Sequence, residues 1–168
     1  MTKLGTVRVS TLDDRDLVSS LLRASYPNLM RSAYDPVLLE KVLPRMTVAQ
    51  PQLLESGTYY VAESSEGRII GCGGWTRERP GTGEIRESVG HIRHFGVHPG
   101  WTRCGVGKAL YARCGLDAQG AGIAQFECYS SLNGEQFYSA LGFRRLAQID
   151  LHMFDDIHFP SVHMVASI

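Results

Sequence analysis

A glycine-rich run from His98 to Lys108, reading HPGWTRCGVGK, is the part of the sequence best suited to chemistry. It follows a predicted strand and opens a predicted helix. Gly105 and Gly107 at the helix start would let successive backbone N–H groups converge on an anion at the positive end of the helix dipole. Arg103 and Lys108 can add positive charge. The run therefore indicates a phosphate site, although a plain strand-to-helix turn would explain the two glycines equally well.

Two other classes of phosphate-binding loop do not fit this run. A Walker loop requires Ser or Thr after the Gly-Lys pair, where Ala109 stands, so magnesium nucleotide chemistry is disfavoured. A dinucleotide fingerprint requires a third glycine where Leu110 stands. The other glycine cluster, from Gly71 to Gly74, lies inside a predicted strand rather than before a helix.

Three histidines, His91, His94 and His98, lie on or next to the strand that precedes the run. Histidine titrates near neutral pH, so His91 and His94 are candidates for relaying a proton directly or through water. Glu84 and Glu87 in the preceding connection are further candidates, and a solvated strand end would also explain the histidines. Strand alternation places His91 on the opposite face from the other two, so we expect no metal site.

A second motif runs from Asn133 to Phe143 and reads NGEQFYSALGF. Asn133 is predicted to cap a helix, with Gln136 three residues later as its reciprocal partner. Tyr138 lies on that helix. Because Tyr138 follows Phe137 on this helix, its ring could simply pack in the core, or its hydroxyl could take part in catalysis.

Together the two motifs resemble the GNAT superfamily of N-acetyltransferases over its acetyl-CoA-binding half. The family loop reads Gln or Arg, two residues, Gly, one residue, then Gly or Ala, after a Val-x-Pro that ends the central strand. Here Val97-His98-Pro99 precedes the loop from Thr102 to Gly107, and the family's later Asn, Tyr and Gly-Phe signature matches Asn133 to Phe143. The matched segments cover about a third of the chain. Thr102 departs from the family's Gln or Arg, and Arg103 could supply the missing charge.

The resemblance implies direct transfer of acetyl from acetyl-CoA to a primary amine, with no metal. It makes Tyr138 the general acid for the departing thiolate. His91 is the first candidate for the general base, because some family members carry a glutamate base at its position, and His94 is the alternative. The residues implied in cofactor binding, including Asn133 at the pantetheine arm, are Phe95, Gly96, Val97, Arg103, Cys104, Gly105, Val106, Gly107, Lys108, Asn133 and Tyr138.

Other functions stay open on the sequence alone. Within the fold, the donor could carry a longer acyl chain, or the acceptor could be an alcohol. In a different class, a non-catalytic module would bind and sense acyl-CoA without turnover. The family builds its acceptor pocket from the first helices, the connection 77–87 and the chain end, which carry no readable motif here. We expect the mixed charges of 77–87 to form a solvated loop.

The predicted elements form an α/β or α+β fold, with a mixed sheet of six to seven strands flanked by about four helices. Strands are predicted at 6–10, 58–63, 68–76, 89–97, 123–129 and 143–153, with 162–165 returning as an edge strand. Helices are predicted after Thr11 or Asp13 and at 36–46, 105–119 and 133–141. In the helix 36–46, the expected core side chains are Val37, Leu38, Val42 and Leu43, and Pro44 should end or bend it.

The resemblance adds detail to this sheet. It implies a strong twist and a separation of the strands 89–97 and 123–129. Pantetheine would lie in that gap, bonded to backbone groups of Phe95 and Val97. Residues 6–87 would contribute to the acceptor site, 88–143 would form the acetyl-CoA-binding core, and 144–168 would add C-terminal strands.

Composition fits one soluble domain spanning residues 1–168. The chain is 43% hydrophobic, and its 17 basic side chains balance 17 acidic ones, so no basic excess favours nucleic acid as a partner. No stretch approaches the ~20 apolar residues of a bilayer span, and none resembles a signal peptide. We therefore expect a cytoplasmic enzyme with reduced cysteines and a small-molecule or peptide amine as acceptor. An exposed C-terminal strand would support a homodimer.

Overall fold

The fold is built on one seven-stranded mixed sheet. The computed structural model describes residues 2–168. In chain order the strands are β1 (Leu4–Val9), β2 (Tyr59–Ser64), β3 (Ile69–Thr76), β4 (Val89–Val97), β5 (Gln125–Ser131), β6 (Arg144–His152) and β7 (His158–Ser167). Their order in the sheet is β1-β2-β3-β4-β5-β7-β6, in which β4 and β5 run parallel and the other neighbours run antiparallel.

Helices cover both faces of the sheet and bury two separate apolar cores. One face carries α1 (Arg15–Met30), α2 (Pro36–Met46) and α3 (Pro51–Leu54), and the other carries α4 (Val106–Gly120) and α5 (Glu135–Ala140). We call these the α1 face and the α4 face. The predicted fold class is confirmed. Within residues 2–168, no helix has both the length and the apolar character needed to cross a bilayer.

The second helix follows its sequence signals closely. Asp35 accepts a hydrogen bond from the backbone N–H of Val37 at 2.8 Å, and Pro36 takes the first helical position, where no N–H is needed. The predicted bounds of α2 are confirmed, and it ends two residues after Pro44. The expected burial of Val37 is wrong, because this side chain is 59% exposed and Leu39 packs in the core instead.

The central strands separate beyond a short parallel ladder. Within the described chain, β4 pairs with β5 over Val89, Gly90 and His91 and then diverges from it. The register between β3 and β4 shifts at His94, whose φ of 53° lies in the left-handed region. This β-bulge adds one residue to β4, which re-aims the side chains that follow. The later part of β4 therefore borders a gap, as the resemblance implied.

The prediction of an edge strand at 162–165 is wrong. β7 lies between β5 and β6, and β6 forms the edge. Val162, Met164 and Ala166 all belong to the α4-face core, a pattern typical of an interior strand. By contrast, β6 is mostly exposed along its length. β7 is an interior strand, paired with β5 on one side and with β6 on the other.

Candidate active site

The glycine-rich run forms a cradle of backbone N–H groups at the start of α4. The first helical hydrogen bond joins the Ala109 N–H to the Gly105 carbonyl at 3.0 Å. Among residues 2–168, the N–H groups from Arg103 to Lys108 have no hydrogen-bond acceptor. Side chains of Arg103 and Lys108 are exposed beside them. Such an array at a helix N-terminus is suited to a phosphate or pyrophosphate.

Gly105 and Gly107 in the cradle are required for different structural reasons. Gly105 has a φ of 80° and open space around its Cα, so only its backbone conformation demands glycine. Gly107 has ordinary backbone angles, but a Cβ there would lie 2.7 Å from Cε1 of Phe137 on α5. Gly107 thus allows α5 to pack against the start of α4. Arg103 also lies in the left-handed region, with a φ of 59°.

The backbone of β4 faces the gap at alternate residues. The His98 N–H donates to the Ile70 carbonyl at 2.9 Å, so alternation turns the polar groups of Gly96 toward β3 and those of Phe95 and Val97 toward the gap. The Phe95 carbonyl already accepts a hydrogen bond from the Tyr26 hydroxyl at 2.8 Å. The Phe95 N–H and both backbone groups of Val97 are therefore the ones available to a ligand.

Tyr138 lies on the α4 face beside the gap. Its ring contacts Phe95 of β4 edge-on, with centroids 6.3 Å apart, and it also packs against Phe137 and Phe143. Its hydroxyl has no hydrogen-bond partner among residues 2–168. Burial raises the pKa of Tyr138 well above its ordinary value. The hydroxyl therefore keeps its proton at neutral pH and is free to donate it to a ligand.

The predicted capping role of Asn133 is wrong. A 3-10 turn (Leu132–Gly134) precedes α5, and Gly134 takes the N-cap position without any side-chain hydrogen bond. Because Asn133 lies inside that turn, it cannot form the reciprocal pair with Gln136. The side chain of Asn133 makes no hydrogen bond within residues 2–168, so a role toward a ligand is compatible with its position.

His91 is buried on the α1 face, where β4 and β5 still pair. Its Nδ1 lies 3.8 Å from Oε2 of Glu127 at the start of the gap, and both side chains are buried. Burial lowers the pKa of His91, which outweighs the opposite effect of the Glu127 carboxylate. The imidazole is therefore neutral at pH 7 and able to accept a proton.

Glu127 is a functional candidate that the sequence did not reveal. The carboxylate is 5% exposed and contacts Arg86, Arg79 at 3.3 Å, and Nε2 of His163 at 3.6 Å. Burial alone would raise the pKa of Glu127, but the hydrogen bond and charge of Arg86, together with the charge of Arg79, hold it below its ordinary value. Its only sequence signal is a charge between the apolar Phe126 and Cys128 in a predicted buried strand.

The connection 77–87 is mostly exposed, as expected, but two of its charges are also held by ion pairs. Arg86 is exposed and Arg79 half-buried, yet both reach the buried Glu127, and Arg79 also pairs with Glu84 at 3.3 Å. The connection is thereby anchored over the α1 face of β4 and β5. Glu84 is engaged by that ion pair, while Glu87 is exposed.

His94 performs a structural task in the bulge. Its Nε2 lies 2.8 Å from the Met46 carbonyl, so this nitrogen carries the proton, and its ring lies against Tyr26. Its own carbonyl accepts the Tyr59 hydroxyl at 2.7 Å. Burial lowers the pKa of His94. The bulge also turns His94 to the α1 face, the face of His91, which the simple alternation did not predict.

Comparisons with known proteins agree with this geometry. Residues 55–145, more than half of the 168-residue chain, match the family model of the acetyltransferase (GNAT) domain. No curated protein matches the sequence significantly.

Solved structures share the whole fold at low sequence identity. A GCN5-related N-acetyltransferase from Rhodopseudomonas palustris is 15% identical with a TM-score of 0.75, covering 100% of this chain and 98% of its own. The PaiA N-acetyltransferase from Thermoplasma acidophilum, in complex with coenzyme A, is 14% identical with a TM-score of 0.72, at 97% and 98% coverage. The ribosomal-protein-S18-alanine N-acetyltransferase from Escherichia coli is 12% identical with a TM-score of 0.64, at 100% and 94% coverage.

Proposed function

The chain belongs to the GNAT family of acetyltransferases, and from that premise we propose that it transfers the acetyl group of acetyl-CoA directly to a primary amine. The enzyme is an acyltransferase by family. A similar structure holds coenzyme A, and another is an alanine N-acetyltransferase of a ribosomal protein, which supports a CoA donor and an amine acceptor here.

The donor side of the site is made mainly of backbone. The N–H groups from Arg103 to Lys108 would bind the pyrophosphate of the donor, with the two basic side chains adding charge. Phe95 and Val97 would bond the pantetheine arm and the thioester carbonyl from the edge of β4. A hydrogen bond to that carbonyl makes its carbon more electrophilic.

Tyr138 is the proposed general acid. Tyr138 lies on α5 with its ring against Phe95 of β4, and the pantetheine arm would end in the gap beside it. Its raised pKa keeps the proton on the hydroxyl until a strong base, the departing thiolate, forms beside it. This free hydroxyl at the gap is the observation that carries the proposal.

His91 is the proposed general base. It lies on the α1 face, across the sheet from Tyr138, so an amine would enter from one face and the donor from the other. The lowered pKa of His91 provides a neutral imidazole at pH 7. His94 is the weaker candidate, since its protonated Nε2 is committed to the Met46 carbonyl.

The proposed step balances without a further reactant. The amine nitrogen forms a bond to the carbonyl carbon and the carbon–sulfur bond breaks, its electron pair leaving with sulfur. His91 accepts the proton that the amine loses, and Tyr138 gives its proton to the thiolate. No acyl-enzyme is needed, so the exposed Cys104 takes no part as a nucleophile.

The test is a steady-state assay of acetyl-CoA consumption with a panel of amines, for the wild type, Tyr138→Phe and Tyr111→Phe. Loss of a general acid should lower kcat of Tyr138→Phe by about 100-fold or more. Tyr111, which packs between Phe126 and Phe143 on the same face, is the matched control and should keep wild-type kcat. Equal kcat in Tyr138→Phe would remove the acid role, and acetyl-CoA binding without turnover of any amine would favour a sensor.

A further inference from the structure

A groove on the α1 face lies beside the proposed site. It has a volume of about 590 Å³ and runs between α3, the end of β3 and the middle of β4. Its lining is largely polar and includes Gln50, Gln52, Thr58, Thr76, Glu78 and Arg93. The donor-binding features described above lie on or at the edge of the α4 face, so the groove is not needed for the donor.

Arg93 differs from Arg79 and Arg86 in having no ion pair among the described residues. Arg79 and Arg86 share the buried Glu127, whereas Arg93 forms no ion pair with any of residues 2–168. Its guanidinium is partly buried, and its single side-chain hydrogen bond runs from Nη1 to Oγ1 of Thr76 at 3.1 Å. The remaining N–H groups of the fork have no acceptor in the described chain.

An unpaired, partly buried cation is costly to keep in a fold. Desolvation lowers the pKa of Arg93, and the carboxylate that acts on it, Glu78, is exposed at the rim of the groove. A planar guanidinium with free N–H groups is the side chain best shaped to bind a carboxylate with two parallel hydrogen bonds. The groove thus presents an anion site that the fold itself does not fill.

The location of Arg93 connects this anion site to the reaction. It lies in the part of β4 that borders the gap, one residue before the bulge at His94 and two before Phe95. Two residues of extended strand span about 7 Å. A small acceptor held by Arg93 would therefore reach the gap with a group placed a few bonds away.

We propose that the groove binds the acceptor and that Arg93 binds its carboxylate, so the acceptor is an amino acid or another amine carrying a carboxylate. The proposal rests on the proposed function for the amine that reacts. It makes Arg93 a specificity-determining residue rather than a group of the chemical step. An amine of the same size without a carboxylate would leave Arg93 without an anionic partner.

The experiment compares each amino acid with its own amide. A panel of α-amino acids and the corresponding amino acid amides is assayed with acetyl-CoA, since the amide keeps the shape and removes the charge. The wild type should favour the best carboxylate over its amide by about 10- to 100-fold in kcat/KM. Arg93→Gln should abolish that preference, mainly through KM, and Arg93→Lys should retain part of it.

Arg77→Gln is the matched control. Arg77 lines the same groove but is exposed, so its loss should leave the preference intact. A wild type that acetylates the amides as well as the acids, or a protein that binds acetyl-CoA and acetylates no acid in the panel, would overturn the proposal and leave the acyltransferase function standing. A wild type that fails to bind acetyl-CoA would instead count against the proposed function itself. Thermal unfolding of each variant separates lost recognition from lost folding.

Discussion

The two faces of the sheet hold the two halves of the site in different ways. On the α4 face, the cradle from Arg103 to Lys108 is one contiguous run whose binding groups are backbone N–H groups. On the α1 face, the candidate groups are side chains brought together from distant segments, such as Arg79, His91 and Glu127. The first half depends on local backbone geometry, and the second depends on the register between strands.

This difference explains why the sequence predicts the backbone half of the site but not the side-chain half. Backbone binding requires particular residue types at fixed spacing, because only glycine tolerates the φ of Gly105 at low cost. Side-chain binding leaves no such spacing. Glu127 meets His91 because β4 and β5 pair at those two residues, and this pairing is a property of the folded sheet.

Among changes on the α1 face, His91→Gln is expected to have the largest effect on activity. Loss of a general base should lower kcat by about 100-fold and leave acetyl-CoA affinity unchanged, because His91 lies on the acceptor face. Burial lowers the pKa of His91, so the wild-type rate should rise with pH through a value below 6.5 and be flat above it. Rates measured from pH 5 to 8 test this, and the variant should lose that limb. An unchanged kcat would reassign the base.

A smaller effect is expected for Glu127→Gln, which removes the anchor of the connection 77–87. Arg79 and Arg86 would lose their shared carboxylate, at a cost of about 1–2 kcal/mol, since both arginines can still reach water. Urea unfolding measures this loss. Acetyl-CoA affinity should not change, while KM for the acceptor should rise. Glu87→Gln, at an exposed carboxylate of the same connection, is the control, and equal behaviour of the two variants would argue against the anchor.

An effect confined to stability is expected on the α4 face. Gly107→Ala places a Cβ 2.7 Å from the Phe137 ring, so α5 must shift, at a cost of about 1–2 kcal/mol. Gly115→Ala, on the same helix with open space around it, should stabilise the protein by up to about 1 kcal/mol. Thermal unfolding compares the pair. If Gly107→Ala were as stable as Gly115→Ala, the packing reason for Gly107 would fail.

Much of the fold follows from local signals in the sequence. The bounds of α2 and β4 match their predictions because a proline start and a β-branched, aromatic run are strong markers. The interior place of β7 did not follow, since the same apolar alternation fits an edge strand until its second neighbour is known. The predicted capping role of Asn133 failed for a related reason, because the same residue types cap a 3-10 turn and an α-helix.

The bulge at His94 limited the prediction of the site. Simple alternation assigned His91 and His94 to opposite faces, and one added residue in β4 reverses that relation. The bulge also turns Phe95 toward the α4 face, where Gly73 of β3 leaves room for its ring. No local sequence signal marks a bulge at a histidine.

Whether the cradle at the start of α4 binds acetyl-CoA is tested by calorimetric titration of acetyl-CoA into the wild type, Gly105→Glu and Gly115→Glu. Glu at position 105 meets an unfavourable φ and places a negative charge at the cradle, whereas Glu at position 115 adds the same charge in open space further along α4. We expect wild-type binding with a Kd on the order of micromolar, retained in Gly115→Glu and weakened at least about 10-fold in Gly105→Glu. No binding by the wild type, or equal binding by all three proteins, would contradict this expectation.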